Sequence, residues 1–183
     1  MTHLQTPVEI SKTKTLKAGE QLLLSGTIYT ARDAAHKRLI ELLNSGKKLP
    51  VDLQGQFLYY TGPSPAKPGD VIGSAGPTTS SRMDKYTPQL LAASGLRGII
   101  GKGGRSDAVV EALRQYDCLY CAATGGAGAL LGSCITSASV VCYDDLGPEA
   151  IFKMTVENFP LIVAIDTCGG NMYTDGPARF KHT

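Results

Sequence analysis

Cations and hydroxyl groups stand beside glycines or other small residues at four points of the sequence, each where a helix is predicted to begin. The segments are Thr30–Asp33 with the nearby His36, Thr78–Arg82, Gly101–Gly104 and Gly125–Gly132. Free N–H groups at a helix N-terminus attract anions, and each charge-assisted hydrogen bond from Arg or Lys adds about 1.5–3 kcal/mol. Cations on three separate loops can therefore hold a small dianion together.

In two of these segments, a pair of polar side chains is separated by four positions, which is about one turn of a helix. Thr78 and Arg82 lie at i and i+4, so a helix that begins by Thr78 places a hydroxyl beside a guanidinium. His36 follows Arg32 by the same interval, and the pair would then reach one ligand. Two plainer interpretations stay open: Thr78 and its neighbours only cap a helix, and His36 is a polar residue that supports the site from outside.

Two further patterns resemble cofactor motifs but lack essential parts of them. Gly126–Gly132 follows a predicted strand, yet the acidic pair Asp144–Asp145 comes too early for a dinucleotide fingerprint. Gly101–Gly104 lacks the Ser or Thr that follows the lysine of a phosphate-binding loop.

Cys118 and Cys121 are spaced like half a metal knuckle, but an interval of three in a strand sends the sulfurs to opposite faces. We interpret both as buried structural thiols.

Short apolar runs alternate with helical patterns, which favours an α/β or mixed three-layer architecture. The predicted strands are 21–29, 56–60, 70–75, 97–101, 118–124, 139–143 and 161–166. The predicted helices are 33–45, opened by a capping box at 30–33, then 84–95, restarted at Pro88, followed by 106–116 and 148–158. One domain covers residues 1–183, with polar ends at 1–18 and 171–183 that are expected to be loose unless a partner orders them.

The composition excludes several classes of protein. The 18 Lys and Arg residues against 16 Asp and Glu leave a net charge of +2, which is too balanced for nonspecific binding to nucleic acid. No apolar run approaches the roughly 20 residues needed to cross a bilayer. The five cysteines, an odd number without a secretion signal, indicate reduced thiols in a cytoplasm.

Several motifs together resemble one family, the β subunit of class I fumarases and L-tartrate dehydratases. They are LSGTIYTARDAAHKRL at Leu24–Leu39, GPTTSSRMD at Gly76–Asp84 and IIGKGG at Ile99–Gly104, with Thr61–Pro63 and Val163–Gly170. The resemblance covers about residues 18 to 174 and implies a single three-layer swivelling β/β/α domain of the α/β class. In that family a separate α subunit, or a fused N-terminal domain, carries a 4Fe-4S cluster with one iron open to substrate. The domain that this chain resembles closes over the cluster.

The resemblance also implies roles for four residues. Arg32, Arg82 and Lys102 are expected to bind the substrate carboxylates, and Thr78 to lie at the reacting carbon as the base. The open iron would act as a Lewis acid on the departing hydroxyl while the cations neutralise the charge that builds on the carboxylate. Because a threonine hydroxyl alone is a very weak base, its role depends on Arg82 and Lys102 stabilising an alkoxide or a proton relay.

The resemblance also implies two supporting residues and a partner subunit. Asp33 and His36 belong to the motif around Arg32 and are expected to orient the groups that bind substrate. We expect a stand-alone β subunit that hydrates fumarate reversibly to malate, a C4-dicarboxylate reaction, and acts only with an α subunit that holds the cluster. This chain is expected to bind no metal itself, and homodimerisation is left open. The alternatives are L-tartrate dehydration and, from other classes, a nucleotide-binding regulatory module at Gly125–Gly132 or a non-catalytic scaffold.

Overall fold

The computed structural model describes residues 1–124 and 126–179, which contain seven strands and six α-helices. The strands are β1 Thr2–Gln5, β2 Gln21–Thr30, β3 Phe57–Tyr59, β4 Gly98–Gly101, β5 Leu119–Ala122, β6 Ile135–Cys142 and β7 Ile151–Ile165. The helices are α1 Ile10–Thr15, α2 Asp33–Asn44, α3 Thr87–Ser94, α4 Asp107–Gln115, α5 Gly128–Ser133 and α6 Met172–Arg179, with 3₁₀ turns at Ser80–Met83 and Asp144–Glu149. None of the helices described is long and apolar enough to cross a membrane.

The strands close into a ring. β2, β3, β4 and β5 lie side by side and parallel in chain order. β7 then runs antiparallel to both β5 and β2 and joins the two ends of the row. β1 is added beside β2, and β6 beside β7. Because β2 to β5 are parallel, their carboxyl ends all reach the same rim of the ring.

Alternating side chains of the ring strands pack into two separate cores. Phe57 and Tyr59 of β3 face the inside of the ring, which we call the ring core. Leu58 of the same strand and Tyr60 just after it face the other way, into a core shared with α2, α3 and α4, which we call the helix core. Two walls of strands and one layer of helices follow from this alternation. The arrangement confirms the predicted α/β domain and its β/β/α layers.

One predicted helix is wrong, because residues 148–158 lie mostly in β7. The side chains of β7 that reach the ring core occupy even positions in its first half and odd positions in its second half: Phe152, Met154 and Val156, then Phe159, Leu161 and Val163. Between the halves, Asn158 has a φ of 50°, and two residues of β7, Glu157 and Asn158, lie opposite one residue of β2, Ser25. This bulge inserts one residue and reverses the alternation. The strand predicted at 161–166 is therefore the end of β7.

The strand predicted at 70–75 is also wrong, since residues 61–79 form a loop with only isolated bridges. Ser64 N donates to the Ser74 carbonyl at 2.9 Å, and Gly73 N donates to the Ser64 carbonyl at 3.1 Å. The Tyr59 hydroxyl donates to the Ala75 carbonyl at 2.6 Å. The loop thus satisfies these backbone groups within itself and against the ring, so it needs no neighbouring strand.

The N-terminal segment 1–18, predicted as a loose polar end, instead forms β1 and α1. β1 pairs in parallel with β2, and Leu4 and Leu16 are buried in the ring core. The Thr6 hydroxyl donates to the Thr27 carbonyl at 2.6 Å. Of the tail predicted to be loose, 171–179 includes α6, whereas 180–183 lie outside the described residues.

Candidate functional site

The carboxyl ends of three neighbouring strands bring the predicted site segments to one rim. Arg32 follows β2, Gly62 follows β3 and Lys102 follows β4, and we call this edge the carboxyl rim. Thr78 enters it from the long loop, because its N–H donates to the Tyr60 carbonyl at 2.8 Å. The structure therefore places the segments of all three predicted cations on the same side of the ring.

Backbone hydrogen bonds join the Thr78–Arg82 segment to Lys102. Thr79 forms an isolated parallel bridge with Lys102. Ser80 N donates to the Lys102 carbonyl at 3.0 Å, and Lys102 N donates to the Ser80 hydroxyl oxygen at 3.1 Å. The Lys102 side chain itself is exposed. Thr78 and Lys102 thus lie on adjoining backbone segments.

Asp33 connects the two arginines. Its Oδ1 lies 3.0 Å from Arg82 Nε, and its Oδ2 lies 3.9 Å from Arg32 Nη2. Arg32 Nη2 also lies 3.3 Å from Glu149 Oε1. The Arg82 side chain is 52% exposed and that of Arg32 is 22% exposed, so pairs of this kind contribute little to stability. Their effect is to orient the two guanidiniums, and Arg32 Nε is buried without a hydrogen-bond partner among the described residues.

The start of α2 is stabilised differently from the prediction. The Thr30 hydroxyl accepts a hydrogen bond from Phe152 N at 3.0 Å, so the predicted capping box is not formed. Glu149 takes over that role, because its Oε2 accepts from Ala34 N at 3.0 Å. A Cβ at Gly62 would lie 2.9 Å from Arg32 Nη1. The glycine of the Thr-Gly-Pro motif therefore makes room for the guanidinium.

The helical turn expected to join Thr78 and Arg82 is not formed. The 3₁₀ turn begins only at Ser80, and Thr79 is extended with φ −63° and ψ 117°. Thr78 therefore lies in the extended segment before the turn, and the i, i+4 argument was wrong for this pair. Thr78 reaches the rim through its hydrogen bond to the Tyr60 carbonyl and the bridge between its neighbour Thr79 and Lys102. Arg82 lies there in an ion pair with Asp33.

His36 lies fully buried beneath the carboxyl rim. Its ring packs edge-on against Tyr60, with centroids 5.0 Å apart, and stacks on Tyr86 at 6.1 Å. Nδ1 lies 2.9 Å from the Arg32 carbonyl, and since a carbonyl can only accept, Nδ1 carries the proton. The imidazole thus faces the Arg32 backbone and does not share an exposed ligand with its side chain. The geometry favours the interpretation in which His36 supports the site from outside.

Acid should weaken the fold through His36. The pKa of His36 is lowered to about 4, mainly by burial and to a smaller extent by the charge of Arg105. The hydrogen bond to the Arg32 carbonyl and the charge of Asp33 raise the pKa, but by less than burial lowers it. An unfolded histidine titrates near pH 6.5, so between these values the unfolded chain binds the extra proton. The contribution of His36 to the free energy of unfolding is therefore fully present above about pH 6.5. It falls by about 3 kcal/mol as the pH drops to about 4. We expect urea unfolding of His36→Phe to show a shallower pH dependence than wild type over this range.

The control for this measurement is His3→Gln, which changes an exposed histidine of β1. Its pH dependence should match that of wild type. Equal slopes for wild type and His36→Phe would contradict the assignment of the acid sensitivity to the buried imidazole.

The cysteines do not form a site for an iron–sulfur cluster in the described part of the chain. Cys118 lies in the helix core and Cys121 in the ring core, which confirms that their sulfurs face opposite ways. Burial raises the pKa of both thiols. Cys134 immediately precedes β6, Cys142 is its last residue, and Cys168 follows β7. A cluster needs thiolates at one point, and no group of three possible metal ligands occurs among the described residues.

Two charged residues of the site region were not predicted from the sequence. Glu149 lies 115 positions after Ala34, which it caps, and no local pattern identifies so distant a partner. Arg105 follows the Lys102 turn directly and is buried beneath it. Its position next to a glycine turn was a signal, but its burial could not be inferred, because arginine is ordinarily exposed.

Comparison with known proteins identifies the whole domain. Residues 2–176 match the family model described as fumarase C-terminus. The chain belongs to this family. A Methanocaldococcus jannaschii protein, provisionally named L(+)-tartrate dehydratase subunit beta, is 41% identical to this fumarase C-terminus domain over 167 residues, 88% of this chain and 86% of that protein. The match confirms the resemblance that the sequence motifs indicated.

Longer relatives contain a similar domain. The aerobic class I fumarate hydratase of Escherichia coli K12 is 39% identical over 154 residues, which are 84% of this chain and 28% of that enzyme. Fumarate hydratase 2 of Leishmania major is 34% identical over 157 residues, 85% of this chain and 28% of that enzyme. This fumarase C-terminus domain thus spans a little over a quarter of these two fumarate hydratases.

Proposed function

We propose that this fumarase C-terminus domain is the β subunit of a hydro-lyase that reversibly hydrates fumarate to malate. The observation that carries the proposal is the carboxyl rim, where Arg32, Arg82 and Lys102 stand on backbone segments joined by hydrogen bonds and by Asp33. Family membership supports the reaction class, and the span shared with the M. jannaschii relative supports the role of a β subunit.

The three cations suit a small acid with two carboxylates. A guanidinium offers a planar fork that a carboxylate fits with two hydrogen bonds, and Lys102 adds a mobile point charge. Asp33 contacts Arg82 through Nε, which reserves the terminal nitrogens for the substrate. When malate loses the proton beside a carboxylate, negative charge grows on that carboxylate. Cations held there stabilise the transition state more than the substrate.

Thr78 is the base in this proposal. Its N–H is fixed to the Tyr60 carbonyl, its residue is half-buried, and the adjoining segment bridges to Lys102. The Thr78 oxygen would accept the proton that leaves carbon during malate dehydration and return it during hydration. Its hydroxyl must first lose its own proton to a relay, and the nearby positive charges favour the resulting alkoxide.

We also propose that an α subunit completes the site and holds the 4Fe-4S cluster. The described thiols do not converge, and the rim leaves Arg82 half-exposed and Lys102 exposed, so another surface can cover them. In the E. coli relative, the sequence outside the matched 28% is the natural counterpart of such a subunit. The cysteines of this chain are all free, which supports a reducing compartment such as the cytoplasm.

L-tartrate dehydration is the second candidate. The relative that favours it is the M. jannaschii protein, most of whose length this chain matches. Tartrate has the same two carboxylates as malate and one more hydroxyl, so the same cations would bind both acids.

Coexpression with an α-type partner tests the proposal. We expect the complex, purified without oxygen, to interconvert fumarate and malate, and the chain alone to be inactive on either. Turnover of tartrate without turnover of fumarate would assign the second candidate. A complex that assembles but converts neither acid would contradict the enzymatic proposal and favour a scaffold.

A further inference from the structure

Arg105, just after the turn that follows β4, has a fully buried side chain. Its Nε donates to Asp84 Oδ1 at 2.7 Å, and its Nη2 donates to the Thr87 hydroxyl oxygen at 2.8 Å. Its guanidinium carbon lies 5.4 Å from the ring centroid of Tyr60 and 5.0 Å from that of Tyr120. Burying a cation is costly unless hydrogen bonds and an opposite charge compensate it. Here Asp84 supplies the opposite charge, and Nε and Nη2 are hydrogen-bonded, whereas Nη1 has no partner among the described residues.

Both tyrosines that enclose this guanidinium contact the backbone of the carboxyl rim. The carbonyl of Tyr60 accepts the hydrogen bond from Thr78 N at 2.8 Å. The hydroxyl of Tyr120 lies 2.9 Å from the Ser80 hydroxyl oxygen and 2.8 Å from the Gly103 carbonyl. The two tyrosines beside the guanidinium therefore contact the Thr78–Arg82 segment and the turn that contains Lys102.

The carboxylate partner makes a third connection. Asp84 directly follows the 3₁₀ turn that carries Arg82. Its Oδ1 accepts from Arg105, and its Oδ2 accepts from Ser106 N at 2.7 Å. The end of the Arg82 turn is thus fixed to the segment that follows the Lys102 turn.

We propose that Arg105, paired with Asp84, is a positioning residue that sets Thr78, Arg82 and Lys102 in their mutual geometry. This inference rests on the proposed function, which assigns those three residues to the substrate. The flat guanidinium lies against both tyrosine rings and donates from separate nitrogens to two acceptors. Lysine would keep the charge, but it has neither the plane nor the fork.

Arg105→Lys in the complex with the α subunit tests the proposal. We expect kcat/KM for fumarate to fall by about 10²-fold, with kcat also reduced, because small displacements of catalytic groups cost about that much. The matched control is Arg97→Lys. Arg97 is another buried arginine, and its Nη1 donates to the carbonyls of Leu96 and Tyr116 before β4 begins. This control should keep the wild-type kcat and KM.

Hydrogen exchange of the isolated chain gives a readout that does not depend on activity. In Arg105→Lys, amides of 78–84 and 101–106 should exchange faster, while those of β1 and α1 keep the wild-type rate. Faster exchange throughout the chain would show a general loss of stability and overturn the positioning role. Wild-type kcat/KM in a folded Arg105→Lys complex would also overturn it.

The two proposals fail in distinguishable ways. If the wild-type complex converts neither fumarate nor tartrate, the proposed function fails, and the exchange result then decides alone whether Arg105 orders the rim. If the wild-type complex is active and Arg105→Lys matches it, the proposed function stands and the positioning role is wrong.

Discussion

If the proposed function is right, Arg82→Ala is expected to lower kcat/KM for fumarate by about 10²- to 10³-fold in the complex with the α subunit, because the two charge-assisted hydrogen bonds proposed between Arg82 and a substrate carboxylate would be lost. The side chain is half-exposed and its ion pair with Asp33 contributes little to stability, so the variant should fold and assemble. Steady-state kinetics on fumarate and on malate measure the effect. Both directions should lose the same factor, since the two substrates share one transition state.

Lys37→Ala is the matched control for this prediction. Lys37 is an exposed cation of α2, 3.9 Å from Glu41 on the same helix, and removing it changes the net charge by the same amount. Its kcat/KM should equal that of wild type. An Arg82→Ala complex that assembles and works at the wild-type rate would remove Arg82 from the site.

Phe159→Ala is expected to lower the free energy of unfolding by about 3–5 kcal/mol, the usual cost of emptying an aromatic site in a core. Phe159 is fully buried in the ring core, and its ring meets Tyr59 edge-on with centroids 5.4 Å apart. It is the first residue of β7 after the bulge to face inward, opposite Leu24. Urea unfolding of the isolated chain measures the loss.

Two further variants, Phe159→Leu and Val140→Ala, serve as comparisons for Phe159→Ala. Phe159→Leu should lose less than the alanine variant, because it leaves a smaller cavity. Val140→Ala removes a side chain of β6 that is 44% exposed and should cost little. If Phe159→Ala were no more destabilised than Val140→Ala, the inward position of Phe159 would be wrong.

The closeness of the candidate site segments was predictable from the order of strands, whereas several element boundaries were not. Arg32 and Lys102 each follow a parallel strand, and the ends of neighbouring parallel strands meet at one edge, so short segments were enough to bring them together. Arg82 reaches the same rim through Asp33, which the motif included. The contacts of Glu149 and Arg105 could not be predicted, because each depends on side chains that the chain brings together only after folding.

The wrong helix at 148–158 has a physical cause in β7. Strand prediction depends on strict alternation of inward and outward side chains. The bulge at Asn158 shifts the inward positions from even to odd, so the apolar residues follow no single period across it. A pattern with mixed intervals of two and three suggests a helix when it is judged over a short window. The strand is recognisable only when its pairing with β2 is known.

The order of strands along the chain also affects how the protein emerges during translation. β7 pairs with β2, β5 and β6, yet it is the last strand of the described sequence to be made. Until residues 151–165 leave the ribosome, the ring cannot close between β2 and β5. The apolar side chains of these two strands are then exposed to water. The pairing of β7 with β2 joins residues far apart in sequence, and such pairing is slow compared with local pairing. Until β7 is made, the unpaired edges of these strands are open to aggregation.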